Sequence, residues 1–418
     1  MPAFDEISID TFQARLARGE CQPLDWWHAC RARIAEREPG VQAWQHLADA
    51  TPPPSGAGRL TGVPVGIKDI IDTRDMPIGW GTDYLHSPGA LVDAPLVSLL
   101  REQGALIMGK TVSTEMAYFT PGRTRNPLDP ARTPGGSSSG SAAAVADGMV
   151  PLAFGTQTAG SIIRPASFCG VFGFKPTFDL VSCAGAKAFS PSLDTLGWFA
   201  RTIDDICTTF SALTRAPAVT ALPSLAGVRV GLRSLPGDEA LAPEVRQALD
   251  EVAGRLERAG AEVVPPPLDG RFDGLVEEQK VVMAYEAAQT LASEYRQFAD
   301  RMGPKLVELL EAGRALPFVR YREARAQAAA LQPVLSRAFA EQVDVILAAS
   351  AQGVAPTGLD ATGDPLYCRA WTLLGVPCLN LPLCRGEGGM PLGVQLVGDR
   401  FGDERLLTIA RTLMQATP

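Results

Sequence analysis

The stretch from Pro134 to Gly170 constrains this chain more than any other. It reads PGGSSSGSAAAVADGMVPLAFGTQTAGSIIRPASFCG, two Ser/Gly-dense blocks separated by a short apolar run. A flexible linker of that composition would continue in polar residues. This one passes directly into Ala142 to Ala146, which reads as a close-packed helix ended by Gly148, so its glycines serve tight backbone approach. In the second block, Thr156 to Ser161 lies between a strand at Leu152 to Phe154 and Pro165, a residue suited to the first turn of a short helix. Successive N–H groups there have the makings of an oxyanion hole.

The rest of the chain alternates short apolar strands with helices, the pattern of an α/β domain. Val63 to Ile67 reads as a buried strand, Leu91 to Gln103 as a helix stopped by Gly104, and Ala105 to Met108 as the next strand. A second unit follows at Val228 to Leu232, Pro243 to Arg258 and Glu262 to Val264. Residues 272 to 342 read as helices that wall a pocket, and Val343 to Ala348 and 393 to 397 return to strand. The opening 50 residues read as helical, with apolar positions at Phe12, Leu16, Trp26 and Trp27, and a Pro/Gly/Ser stretch at 51 to 58 sets them apart from the body at 59 to 418. Length alone, at 418 residues, fits two or three ordinary domains or one large α/β domain.

Composition narrows the chemistry. The net charge of -8 argues against a nucleic-acid backbone as partner. No run of about 18 apolar residues crosses a membrane. The N-terminus, MPAFDEISID, is acidic where a signal peptide is basic and then apolar. The eight cysteines are scattered, with no CxxC and no zinc spacing, so reduced thiols and a cytoplasmic location are expected, with no metal. With only 3 histidines, the commonest general base is almost unavailable.

Two motif matches dissolve on inspection. Gly104 to Thr111 fits GxxxxGK[ST], but its spacer Ala105-Leu-Ile-Met108 is a continuous apolar run where a phosphate cradle needs a loop. Gly136 to Gly140 fits GxSxG around Ser138, yet His28, His46 and His86 all precede that serine, whereas the α/β-hydrolase order requires a later His. A serine without histidine needs another base, and lysine remains. Of Lys68, Lys110, Lys175, Lys187, Lys280 and Lys305, none has Ser three residues earlier, so SxxK is absent. Lys68 ends the apolar strand VPVGI, where burial would depress its pKa; the competing reading is a strand-end lysine paired with Asp69.

At this point the residues match a known family. GVPVGIKDIID, GGSSSGSAAAVADGMVPLAFGTQTAGSIIRPASFCGVFGFKPT and LDTLG at 193 to 197 resemble the amidase signature family of Ser-Ser-Lys amide hydrolases, through roughly residues 60 to 210. Chain length, GTQTAGSIIRPAS, Ala361 to Pro365 and the following Trp371-Thr-Leu-Leu-Gly375 resemble malonamidase-like members most. The resemblance implies one α/β domain, a large mixed sheet covered by helices on both faces. It implies Ser161 as nucleophile, Ser137 as the bridging serine after a cis peptide bond, and Lys68 as base. The backbone N–H groups of Thr158, Ala159, Gly160 and Ser161 would form the oxyanion hole, and Arg164 and Ser138 would bind substrate. No cofactor is implied, and a homodimer is.

Departures from the family pattern carry their own expectations. Against the common GTDTGGSIR, Gln157 stands for Asp, Ala159 for Gly, and Ile163 for Arg, with Arg164 following. In malonamidase-like sequences the arginine three residues after the nucleophile binds the substrate's carboxylate; a salt bridge within the fold is the competing role. The reading is a metal-free amidase that hydrolyses a small carboxamide such as malonamate through a Ser161 acyl-enzyme, with a small-molecule amide as its partner and neither nucleic acid nor membrane. The alternatives are the glutaminase subunit of a tRNA-dependent amidotransferase, for which this chain is short, and a nucleotide-binding protein using residues 104 to 111.

Overall fold

The computed structural model describes residues 7–50, 56–232, 241–265 and 268–416. The acidic start at 1–6 and residues 51–55 of the Pro-rich break lie outside them. Among the described residues, eleven strands form one sheet: β1 (Trp44–Leu47), β2 (Pro64–Lys68), β3 (Leu106–Thr111), β4 (Leu152–Gln157), β5 (Phe172–Lys175), β6 (Thr195–Ala200), β7 (Arg229–Leu232), β8 (Glu262–Val264), β9 (Val345–Ala349), β10 (Cys378–Arg385) and β11 (Pro391–Val397). Their spatial order is β1-β3-β2-β4-β6-β5-β10-β11-β9-β7-β8. The sheet is mixed: β3, β2 and β4 run parallel, as do β9, β7 and β8, while the pairings between β4 and β9 are antiparallel.

Helices cover both faces, and β9 shows why. Successive side chains of a strand point to opposite faces. Val345, Leu347 and Ala349 join one buried apolar cluster, with Trp26, Val245 and Leu407, while Ile346 and Ala348 join another, with Leu275, Leu306 and Trp371. A strand buried on both faces reads as an unbroken apolar run rather than an alternation. The expected helical segment at 272 to 342 consists of Leu275–Thr290, Ala292–Phe298, Pro304–Ala315 and Phe318–Glu341, all on the second face.

Local expectations fail where proline or tertiary pairing intervenes. The helix expected from Leu91 starts at Pro95 instead, because the residue before a proline is kept out of the helical region; Ala94 has φ -54 and ψ 148. Leu91 and Val92 are left exposed. The opening segment forms helices Ile9–Ala17 and Asp25–Val41, but Trp44–Leu47 then adds to the sheet edge beside β3, so this segment is part of the sheet. Within the match, Leu106–Thr111 is a strand entered through a turn at Gly104 with φ +85, and buried Lys110 bonds the Ile71 carbonyl, so no phosphate loop exists there.

Candidate active site

The cleft is built where β2 and β4 end and the two small-residue blocks cross. The first block forms the helix Ser139–Ala146, and Gly140 lets it pack: a Cβ there would stand 2.2 Å from the Ala43 carbonyl oxygen and 2.4 Å from the Val112 nitrogen. The peptide bond Gly136-Ser137 is cis. The second block leaves β4 at Gln157, turns, and enters the helix Ile163–Cys169 with Pro165 in its first turn.

Lys68, at the end of β2, is fully buried, with Nζ 2.7 Å from Ser137 Oγ and 2.9 Å from Thr156 Oγ1. Burial lowers its pKa to about 7, while the Asp194 carboxylate pulls the other way. Ser137 and Ser161 open on one narrow cleft, together with Tyr118, Phe119, Thr158, Ala159, Arg164, Thr362 and Pro365. Among the described residues, no protein acceptor takes the N–H of Ala159, Gly160 or Ser161. Gly160 is required by packing, since a Cβ would lie 2.7 Å from Pro365 Cβ.

Arg164 donates through Nε to Thr362 O at 2.7 Å and through Nη2 to Gly136 O at 2.6 Å, and its Nη1 has no partner. Among the described residues it has no carboxylate within ion-pair distance, so the salt-bridge role is absent. Burial pulls its pKa down to about 10. Ser138 departs from expectation. It is fully buried, its hydroxyl donates to Thr156 O and accepts from Thr156 N, and it does not line the cleft; it ties the helix start to β4.

Four further residues complete the surroundings. Asp194, from the LDTLG segment, accepts from Thr158 Oγ1 at 2.5 Å and from the Phe189 and Ser190 N–H groups. Burial raises its pKa to about 6. Gln157, in place of the usual Asp, accepts from the Ile162 and Ile163 N–H groups and so caps the short helix. Gln279 and Thr372 reach the turn from helices Leu275–Thr290 and Leu366–Leu374. No local motif marks Gln279; Thr372 lies in the Trp371-Thr-Leu-Leu-Gly375 segment of the resemblance, which gave it no role, and LDTLG signalled Asp194.

A buried lysine of lowered pKa, two serines and a turn of unengaged N–H groups are the parts that a serine hydrolase with a lysine base would use. The amidase family model matches residues 39–407, and the chain belongs to that family of amide-hydrolysing enzymes. It is 32% identical to the A subunit of glutamyl-tRNA(Gln) amidotransferase from Nitratidesulfovibrio vulgaris, over all of this chain and 98% of that one. The alignment runs to 488 positions, so the relative carries segments that this 418-residue chain lacks. The fold superposes on the A subunit of the same enzyme from Thermotoga maritima (TM-score 0.84, 26% identity, 100% and 96% of the two chains). It also superposes on the native peptide amidase of Stenotrophomonas maltophilia (TM-score 0.82, 27% identity, 99% and 97%).

These relatives correct one expectation. A small-molecule amide as the partner, with nucleic acid excluded, does not hold for a chain whose curated relatives are subunits of an amidotransferase for glutamyl-tRNA(Gln). The inference failed because net charge limits only what a chain itself grips, and a subunit can serve a tRNA held elsewhere in an assembly. No helix among the described residues is long and apolar enough to cross a membrane.

Proposed function

We propose that this chain is a glutaminase-type amidase, which releases ammonia from the terminal carboxamide of a small, carboxylate-bearing substrate in the manner of an amidotransferase A subunit. The observation that carries the reading is that Arg164 lines the cleft that holds Ser161 while its buried Nη1 has no partner. A guanidinium buried without a carboxylate is costly, and a substrate carboxylate would offset that cost.

In the proposed relay neutral Lys68 takes a proton from Ser137 as Ser137 takes one from Ser161, whose Oγ attacks the amide carbon. The developing oxyanion lies against the N–H groups of the turn at 158–161. Ser137 then protonates the departing nitrogen, and water cleaves the acyl-enzyme along the same path. Arg164, bonded to Gly136 O, also steadies the peptide that carries Ser137.

A second reading, a free-standing hydrolase of malonamate, draws on one observation: Arg164, three residues after Ser161 in the first turn of the helix Ile163–Cys169, lines the same cleft, which suits a carboxylate close to the amide carbon. One assay separates the two. Ammonia release from glutamine, malonamate and neutral amides is measured with the chain alone, and with amidotransferase partner subunits and tRNA. Glutamine turnover that rises with partners supports the first reading; malonamate turnover by the chain alone supports the second. Full release by Ser161→Ala would sink both.

A further inference from the structure

We propose that Gln279 and Thr372 are positioning residues that aim the central N–H donors of the oxyanion hole, as two halves of a clamp on the nucleophile turn. This rests on the reading of Ser161 as nucleophile. In a trans peptide the C=O and the following N–H lie in one plane and point oppositely, so a group that holds the carbonyl of one residue sets the direction of the next residue's N–H. Gln279 Nε2 donates to Thr158 O at 2.9 Å, which orients the Ala159 N–H. Thr372 Oγ1 lies 2.9 Å from Ala159 O, which orients the Gly160 N–H. Both side chains are buried and neither lines the cleft, so their effect on the reaction passes through the backbone.

Each half of the clamp is itself held. Arg369 Nη1 donates to Gln279 Oε1 at 2.5 Å, which settles the amide orientation and turns Nε2 toward Thr158. Gln157 Nε2 donates to Thr372 Oγ1 at 3.0 Å. That fills one acceptor site of the hydroxyl and leaves its proton for a carbonyl, Ala159 O or the equally near Cys368 O of its own helix at 3.0 Å. An aspartate at 157 has no N–H to donate to Thr372. The Gln-for-Asp difference and the hydroxyl on the helix Leu366–Leu374 therefore act as a pair.

The test uses a fluorophosphonate probe, which needs no knowledge of the substrate. Ser161 Oγ bonds phosphorus, fluoride leaves, the serine proton passes into the Ser137–Lys68 relay, and the phosphoryl oxygen occupies the oxyanion hole. Removing one such donor costs about a hundredfold to a thousandfold, and misaiming one should cost about tenfold to a hundredfold. Labelling of Thr372→Val and Gln279→Glu should slow by that factor, with kcat on the best amide falling in parallel and KM holding within about threefold. Gln279→Glu keeps an acceptor for Arg369 but has no N–H for Thr158. Thr372→Ser should return to within a few fold of the parent. Parental labelling in Thr372→Val, or a Ser variant as slow as the Val variant, overturns the clamp. Labelling that persists in Ser161→Ala overturns the nucleophile assignment and the clamp with it.

Discussion

Lys68 couples catalysis to proton concentration through its burial. The proposed base is the neutral amine, and its pKa is about 7. Activity should therefore rise about tenfold per pH unit below 7 and level off above it, a profile read from kcat/KM against pH. The same shift acts on stability. An unfolded lysine keeps its proton to about 10.4, so between pH 7 and that value the unfolded chain binds more protons than the folded one. The Lys68 contribution thus makes folding more favourable as pH rises through this window, and is fully unfavourable below it. Lys68→Met should lose activity by about 10² to 10⁴ yet melt at a higher temperature than the parent at pH 6, because an uncompensated buried charge is gone. Arg164→Met should raise KM for malonamate or glutamine by about 10 to 100-fold, the size of one charge-assisted hydrogen bond. Neutral propionamide should be affected less; an equal loss on both would remove the carboxylate role.

At the scale of elements, the nucleophile turn depends on the helix Leu366–Leu374 lying close above it. Gly160→Ala places a methyl against Pro365 and Cys368, and should cost about 1 to 3 kcal/mol in stability, with kcat falling more than KM rises. Calorimetry and steady-state kinetics on the same sample check this. Much at this scale is legible in the sequence. The helix Pro243–Arg258 has the bounds that its Pro start and Gly260 stop announce, and the apolar spacer that speaks against a phosphate loop is indeed the buried strand at 106–111. Lys68 is conspicuous at the end of an apolar strand, but only the resemblance sets it against pairing with Asp69 and says which two serines it would serve. Gln279 leaves no trace, and Thr372 appears only inside the Trp371-Thr-Leu-Leu-Gly375 resemblance without a role, because each matters through a contact with a turn far away in the chain. β1 escapes for a similar reason: four residues beside Val41, only Trp44 of them buried, become a strand only because β3 offers an edge.

For the whole molecule, the segment before β2 is bound into the core. Phe12, Trp26 and Trp27 are buried with residues of β2 and β3, and β1 closes one edge of the sheet. A chain beginning at residue 59 should therefore fail to fold, as judged by loss of the cooperative melting transition, since three large apolar side chains contribute about 1.5 to 3 kcal/mol each or more. A truncated chain that melts as sharply as the parent would show the segment to be dispensable.

The strand order has a consequence for synthesis. Six neighbouring strands, β1 to β6, come from residues 44 to 200, and β7 to β9 come from residues 229 to 349, but the β10–β11 hairpin that joins the two groups comes last. On the ribosome, then, the sheet grows as two separate rafts whose inner edges, β5 and β9, stand open until residue 397 has emerged. Unpaired edges of this kind invite pairing with other chains. The hairpin is the keystone: it completes the sheet from the centre, and a chain cut before it would leave two sticky halves.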